Sequence, residues 1–334
     1  MDERAAPILE LTKVERIFGG GRTLFAREKP AVHAVQSVSL DIEAGETLGI
    51  VGESGCGKST LARLIVGLDN PSGGTIRFKD ADLAEIARRD PAALARRIQY
   101  VFQDPVSSLN PRKTIRSILE APLIHLLGMK RAKRQERLVQ LMDAVRLRPD
   151  FLDRYPHEFS GGQAQRIGIA RALAAEPEII VLDEPVSALD VSVQAQVLNL
   201  LAELKARFRL TYVFISHDLS VVETISDRVA VMYFGRLAEI GPARSIFRNP
   251  RHHYTRLLLR SVPVPGREVS IPETESAEMP DPYDPPKGCA FYPRCPAGDA
   301  LCVSRQPPLE PAPGSTSHLA ACFHPGSVTG EAAG

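Results

Sequence analysis

The stretch GESGCGKST, Gly52 to Thr60, satisfies G-x-x-x-x-G-K-[ST] between the apolar run TLGIVG and the helical run STLARLIVGL. Strand, glycine-rich loop and helix in that order are the context the pattern requires. They commit the chain to an α/β fold with a helix N-terminus aimed at an anion. Gly52, Gly55 and Gly57 let the backbone wrap a polyphosphate, whose charge then meets the loop N–H groups. Ser54 and Thr60 complete the cradle; Lys58 is placed to reach the β- and γ-phosphates and Ser59 to ligate Mg²⁺. Cys56 reads as a small loop residue without chemistry.

Around this loop, apolar strands alternate with helices, so a mostly parallel sheet covered on both faces is expected. EIIVLDEP and LTYVFISHD read as buried strands, and VQAQVLNLLAELKARF as an amphipathic helix. Residues 7–42 read as short strands, since VHAVQSVSLDI alternates with a two-residue period. From Asp90 to Arg154 the pattern is helical, which suggests an inserted lobe over about 90–165. Four regions are therefore expected: a nucleotide domain over 1–260, a proline-rich linker over 261–287, a cysteine-rich segment over 288–326, and a frayed end over 327–334.

Composition excludes some classes. In 334 residues, 44% are hydrophobic and 24% charged, and the net charge is +1. That is a globular balance with no call for a nucleic-acid partner. MKRAKRQERL, the most basic stretch, alternates charges with apolar residues as the solvated face of a helix does. MDERAAPILE lacks a basic n-region, and no apolar run approaches twenty residues. A soluble cytosolic chain is expected, where thiols stay reduced and structural disulfides are disfavoured.

Asp183 and Glu184 end the strand IIVLD, at the sheet edge where ligands of open α/β folds bind. Asp183 can hold Mg²⁺ and Glu184 can polarise an attacking water. In FSGGQAQRIGIARAL, Ser160 and Gln163 have capping-box spacing, which by itself describes a well-capped helix. Gly161 and Gly162, however, weaken that first turn by about 1 kcal/mol each. A structural helix gains nothing from them; a helix presenting bare backbone to phosphate does.

With SGGQ (Ser160, Gly161, Gly162, Gln163) the chain resembles the ATP-binding subunits of ABC transporters over roughly residues 8–260. Phe159 stands where that signature has leucine, an apolar exchange. The resemblance implies a P-loop ATPase with an N-terminal antiparallel β subdomain and an inserted helical lobe. It places the Q-loop at Gln103 in YVFQDP, also a Mg²⁺ ligand, the D-loop at Ser187 to Asp190, and the switch histidine at His217. Phe18 is the first choice to stack on adenine, and Phe25 the second. Two such domains would sandwich two ATP molecules, each P-loop facing its partner's signature.

VFQDPVSSLNPR, YPHEFSGGQ and NPRHHYTRLLLRSVP look like the oligopeptide and dipeptide importer subfamily. The resemblance implies a homologous second ATPase, two transmembrane permease subunits, an extracytoplasmic peptide-binding protein, and a peripheral place at the cytoplasmic face of the plasma membrane. Close relatives also import nickel or glycosides. Soluble ABC ATPases of DNA repair or translation are disfavoured, since they carry two cassettes or long coiled coils.

Cys289, Cys295, Cys302 and Cys322 have five, six and nineteen residues between them, with no C-x-x-C pair. Family members hold a [4Fe–4S] cluster at this place. Zinc remains an alternative, with His318 or His324 replacing a cysteine, as do thiols without a metal. All nucleotide motifs precede the linker, so the cysteine segment is expected to leave the nucleotide site alone.

Overall fold

TLGIV, IIVLD and TYVFI show no polar alternation, so each must be covered on both faces. In the computed structural model, which describes residues 6–20, 31–104, 106–261 and 279–326, every residue of these runs is buried. They form β3 (Thr47–Val51), β7 (Ile179–Asp183) and β8 (Thr211–Ile215). With β6 (Ile98–Val101) and β9 (Arg228–Tyr233) they make a parallel array in the order β9-β3-β8-β7-β6. β10 (Arg236–Pro242), β12 (Leu319–Ala320) and β11 (Glu310–Pro311) continue it antiparallel, giving eight strands.

The two-residue period splits the core. Ile179, Val181, Val213 and Ile215 face one apolar cluster, while Ile180, Leu182, Tyr212 and Phe214 face another. The first is closed by α1 (Lys58–Ile65) and an antiparallel sheet of order β2-β1-β4-β5, from β1 (Leu9–Gly19), β2 (Ala31–Ile42), β4 (Gly73–Phe78) and β5 (Ala81–Asp82). α2 (Leu83–Arg89) and α3 (Pro91–Arg97) flank it, with Leu83 and Leu94 turned into the same cluster.

The helical lobe closes the second cluster with α4 (Ile115–His125), α5 (Arg131–Ala144) and α6 (Gly161–Leu173). α7 (Val191–Phe208), α8 (Leu219–Ile225), α9 (Ala243–Arg248) and α10 (His253–Arg260) complete that side. One expectation fails here. The stretch read as helical from Asp90 contains β6, whose four residues pair in parallel with Ile179–Leu182. Four residues are too few to show a period of their own.

The segment from Gly288 onward holds a short helix, α11 (Ala300–Ser304), and supplies β11 and β12 to the main sheet. A buried carboxylate anchors it. Glu239 of β10 lies opposite Ala320 and is fully buried. It accepts hydrogen bonds from the N–H of Arg251 (2.6 Å) and of His252 (2.9 Å), and its Oε1 meets His318 Nε2 at 2.5 Å. Glu239→Ala would leave two backbone donors and an imidazole buried without their acceptor. A loss of about 2–4 kcal/mol is expected, read as a lower denaturation midpoint at unchanged slope. Limited proteolysis of the variant should cut first between residues 300 and 326. An unchanged midpoint would remove the anchor role.

Candidate functional site

Parallel strands bring their carboxyl ends to one edge. β3 runs there into the glycine loop, whose Gly52, Gly55 and Gly57 have φ of 151°, 80° and 103°. A Cβ on Gly52 would lie 2.2 Å from the Met232 carbonyl, and one on Gly57 would lie 2.2 Å from that of Ala34. Neither position tolerates a side chain. Gly57 gives α1 no side-chain cap, and the first turn carries no acid, so its N–H groups stay open to an anion. Lys58 is buried, its ammonium donating to the carbonyls of Gly52 (2.7 Å) and Glu53 (3.0 Å). These partners are neutral, so the charge suits an incoming anion. Cys56 is buried, and that burial raises its thiol above the ordinary range.

The neighbouring strand ends supply oxygen and nitrogen donors. Ser59 Oγ lies 3.3 Å from Asp183 Oδ1, a hard-donor pair that could hold Mg²⁺. Glu184 adopts a left-handed φ of 48°, and its N–H bonds to the Ile215 carbonyl at 2.9 Å. Its carboxylate accepts from Gln103 Nε2 at 2.8 Å and meets His217 Nδ1 at 3.1 Å. A cavity of about 580 Å³ gathers Ser54, Gly55, Gly57, Lys58, Ser59, Thr60, Gln103, Glu184 and His217. An acid held by an amide and an imidazole, opposite a lysine and an N–H cradle, can bind a polyphosphate and orient water at it.

A profile described as ABC transporter matches residues 35–187, and one described as oligopeptide/dipeptide transporter, C-terminal region matches residues 238–302. Over 320 residues the chain is 50% identical to the oligopeptide transport ATP-binding protein AppF of Bacillus subtilis, covering 94% of this chain and 96% of the relative. It is 46% identical to the dipeptide transport ATP-binding protein DppF of Escherichia coli, covering 95% and 94%. The chain belongs to the ABC transporter ATP-binding proteins. A dimeric, post-hydrolysis ATP-binding cassette, MJ0796 bound to ADP and Pi, superposes with a TM-score of 0.61 at 30% identity, covering 71% of this chain and 99% of that one. The protein is an ATPase of the P-loop fold.

Other expected residues lie away from this ABC cavity. Phe18 is paired with Val32 across β1 and β2, but it does not line the cavity; its ring carries the Arg16 guanidinium 4.5 Å from the centroid. Phe25 falls outside the described residues. Val32, His33 and Ala34 of β2, with Phe234 and Gly235, line the wall instead. Nothing in their alternating strand pattern marks them, because only the fold sets β2 against the loop. The signature residues also lie outside the lining. Ser160 and Gln163 close a reciprocal capping box at 3.4 Å and 3.1 Å. Gly162 has a packing reason after all: a Cβ there would meet Val193 of α7 at 2.4 Å. Bare backbone without such a demand remains only at exposed Gly161. Ser187 Oγ donates to the Glu184 carbonyl at 3.1 Å, whereas Asp190 precedes α7 without a side-chain cap bond.

A second, small cavity gathers Cys289, Cys295, Cys302 and Cys322 with His324 and His252. No disulfide joins the described cysteines. Gly288 is obligatory here, since a Cβ would lie 2.2 Å from the Cys302 carbonyl. Burial pushes the Cys289 thiol up to about 11 and the Cys322 thiol up to about 12, with charge from the neighbouring cysteines adding to the rise. His252 is held neutral, its burial lowering it to about 4. His318 does not line this cavity; its Nε2 meets Glu239 at 2.5 Å. His324 lies beside Asp299 at 3.0 Å, near Cys302.

Sequence reading missed Tyr100. Its hydroxyl donates to Asp183 Oδ2 at 2.6 Å, and burial with that carboxylate raises its pKa. The only available signal was its place in β6, a strand too short to be read. Removing the hydroxyl frees one carboxylate oxygen to rotate away from Ser59. Tyr100→Phe is expected to raise the Mg²⁺ concentration for half-maximal ATPase activity by about tenfold, measured by titrating Mg²⁺ at saturating ATP. An unchanged requirement would show that the hydroxyl does not orient Asp183.

Proposed function

We propose that this chain is the ATP-hydrolysing subunit of an ABC importer for oligopeptides or dipeptides, acting as one half of a nucleotide-sandwich dimer. One observation carries the reading. Gln103, Glu184 and His217 converge on the nucleotide cavity of their own chain, while the capped SGGQ turn lies outside it. The exposed backbone of Gly161 then serves an ATP held by another cassette. The names of the relatives, transport proteins for oligopeptides and dipeptides, support the substrate class.

In this reading Lys58 and the loop N–H groups bind the phosphates. Ser59, Asp183 and the amide oxygen of Gln103 hold Mg²⁺, which supplies charge neutralisation at the phosphates. Glu184 orients the water, and His217 reaches the γ-phosphate edge. The second cassette is a homologous, non-identical ATPase. Among the described residues no helix is long and apolar enough to cross a membrane. The transport names of the relatives support docking on two permease subunits at the cytoplasmic face, with a peptide-binding protein on the far side. A tagged full chain purified from membranes is expected to bring down both permeases and the second ATPase. Recovery of this chain as a homodimer, with the permeases expressed but absent, would overturn the assignment.

We further propose that Cys289, Cys295, Cys302 and Cys322 hold a [4Fe–4S] cluster, a reading supported by all four lining one cavity. Around one zinc ion, sulfurs would sit about 3.8 Å apart. Among the described residues no three of the cysteine sulfurs gather within 4.8 Å; the one such group is Asp299, Cys302 and His324. Four thiolates around one cavity would supply the ligands such a cluster takes. Anaerobically purified protein is expected to contain about four iron and four sulfide per chain, and Cys295→Ser to lose them. Stoichiometric zinc without iron would replace the cluster by zinc, and metal-free protein would dismiss both.

A further inference from the structure

The cysteine segment was expected to leave the nucleotide site alone, yet it touches the glycine loop directly. Arg294, the residue before Cys295, places Nη1 2.9 Å from Glu53 Oε2. Glu53 is the second residue of the loop and is held three ways. Its N–H donates to the Tyr254 hydroxyl at 2.8 Å, its carbonyl accepts from Lys58 Nζ at 3.0 Å, and its carboxylate takes Arg294. The side chains of the pair are only 10% and 28% exposed, so water screens the contact weakly.

Aromatic packing stiffens this bridge. Phe291, buried between Cys289 and Cys295 in sequence, lies 5.5 Å from the rings of both Tyr233 and Tyr254. The Arg294 guanidinium sits 5.6 Å from the Phe291 ring and 6.0 Å from that of Tyr233. The Arg294 N–H bonds back to the Phe291 carbonyl at 3.0 Å, fixing the turn between two cysteines. Just ahead of the segment, Met279 Cε comes 3.7 Å from where a Gly55 Cβ would stand, and Pro282 lines the nucleotide cavity.

We propose that Arg294 is a positioning residue of the nucleotide site: it holds Glu53, and with it the glycine loop, so that ATP affinity depends on the cysteine segment being in place. The loop's glycines leave it many conformations, and a tether from outside reduces what nucleotide binding must order. The effect falls on binding more than on turnover, because Arg294 meets the site at Glu53 of the glycine loop, whereas Glu184 is held by Gln103 and His217. The inference rests on the ATP site described above and on no particular metal.

ATP titrations of the assembled complex test it, with wild type, Arg294→Ala, Arg294→Lys, Glu53→Ala and the Arg294→Ala/Glu53→Ala double variant. Each alanine variant is expected to raise KM for ATP about three- to tenfold, the range of a part-buried, charge-assisted contact, with kcat little changed. The double variant should be no worse than the worse single one, and Arg294→Lys should restore most of the affinity. Iron, sulfide and zinc are measured on every variant, so that a lost metal is not mistaken for a lost contact. Unchanged KM in Arg294→Ala with the same metal content as wild type, or multiplying effects in the double variant, would overturn the proposal. Should Arg294→Ala unfold the segment, Glu53→Ala decides, since wild-type KM there leaves the carboxylate without a role. A wild-type complex that hydrolyses no ATP would instead fault the ATPase reading.

Discussion

Burial of β3, β7 and β8 on both faces is the constraint from which the site follows. Three adjacent strands without a polar face can exist only inside two apolar layers, and parallel strands deliver their carboxyl ends to one edge. Residues far apart in the chain meet there for that reason: the loop from Gly52 after β3, Asp183 at the end of β7 with Glu184 next to it, and His217 after β8. Shared register, such as Ile50 and Asp183 both opposite Ile215, keeps these ends level. The edge is thus a consequence of core packing, and the catalytic geometry comes with it.

Steric demands and charge then shape the edge. Carbonyls of Met232 and Ala34 press so closely on Gly52 and Gly57 that any side chain would move the backbone. Lys58 is buried among neutral acceptors, while Glu184 is engaged by Gln103 and His217. One side of the cavity therefore suits an anion and the other could orient a water. This division is what phosphoryl transfer to water requires.

The C-terminal segment leans on the nucleotide domain at two places. Glu239 gathers two backbone donors and His318 at the edge of the main sheet, and β12 completes the seam. Phe291 enters the second core cluster beside Tyr254. Convergence of the cysteines and contact with the glycine loop are two results of the same docking, since Arg294 lies between Phe291 and Cys295 in one short turn.

Much of this was legible in the residues. Long-range order along the chain is written in short local patterns: GESGCGKST, the acids closing IIVLD, SGGQ, and a histidine closing another apolar run. Those determined the fold class, the nucleotide chemistry and most of the cavity, because each depends on backbone conformation or strand end that neighbours in sequence specify. Tertiary structure decided what depends on contacts between distant segments. It placed β6 in the sheet, put Tyr100 on Asp183, set β2 rather than Phe18 along the cavity wall, and gave Gly162 a packing role against Val193. It also brought Arg294 to Glu53 and His318 to Glu239. A side chain's partner some hundreds of residues away leaves no mark in local periodicity, so only the packed core could determine it.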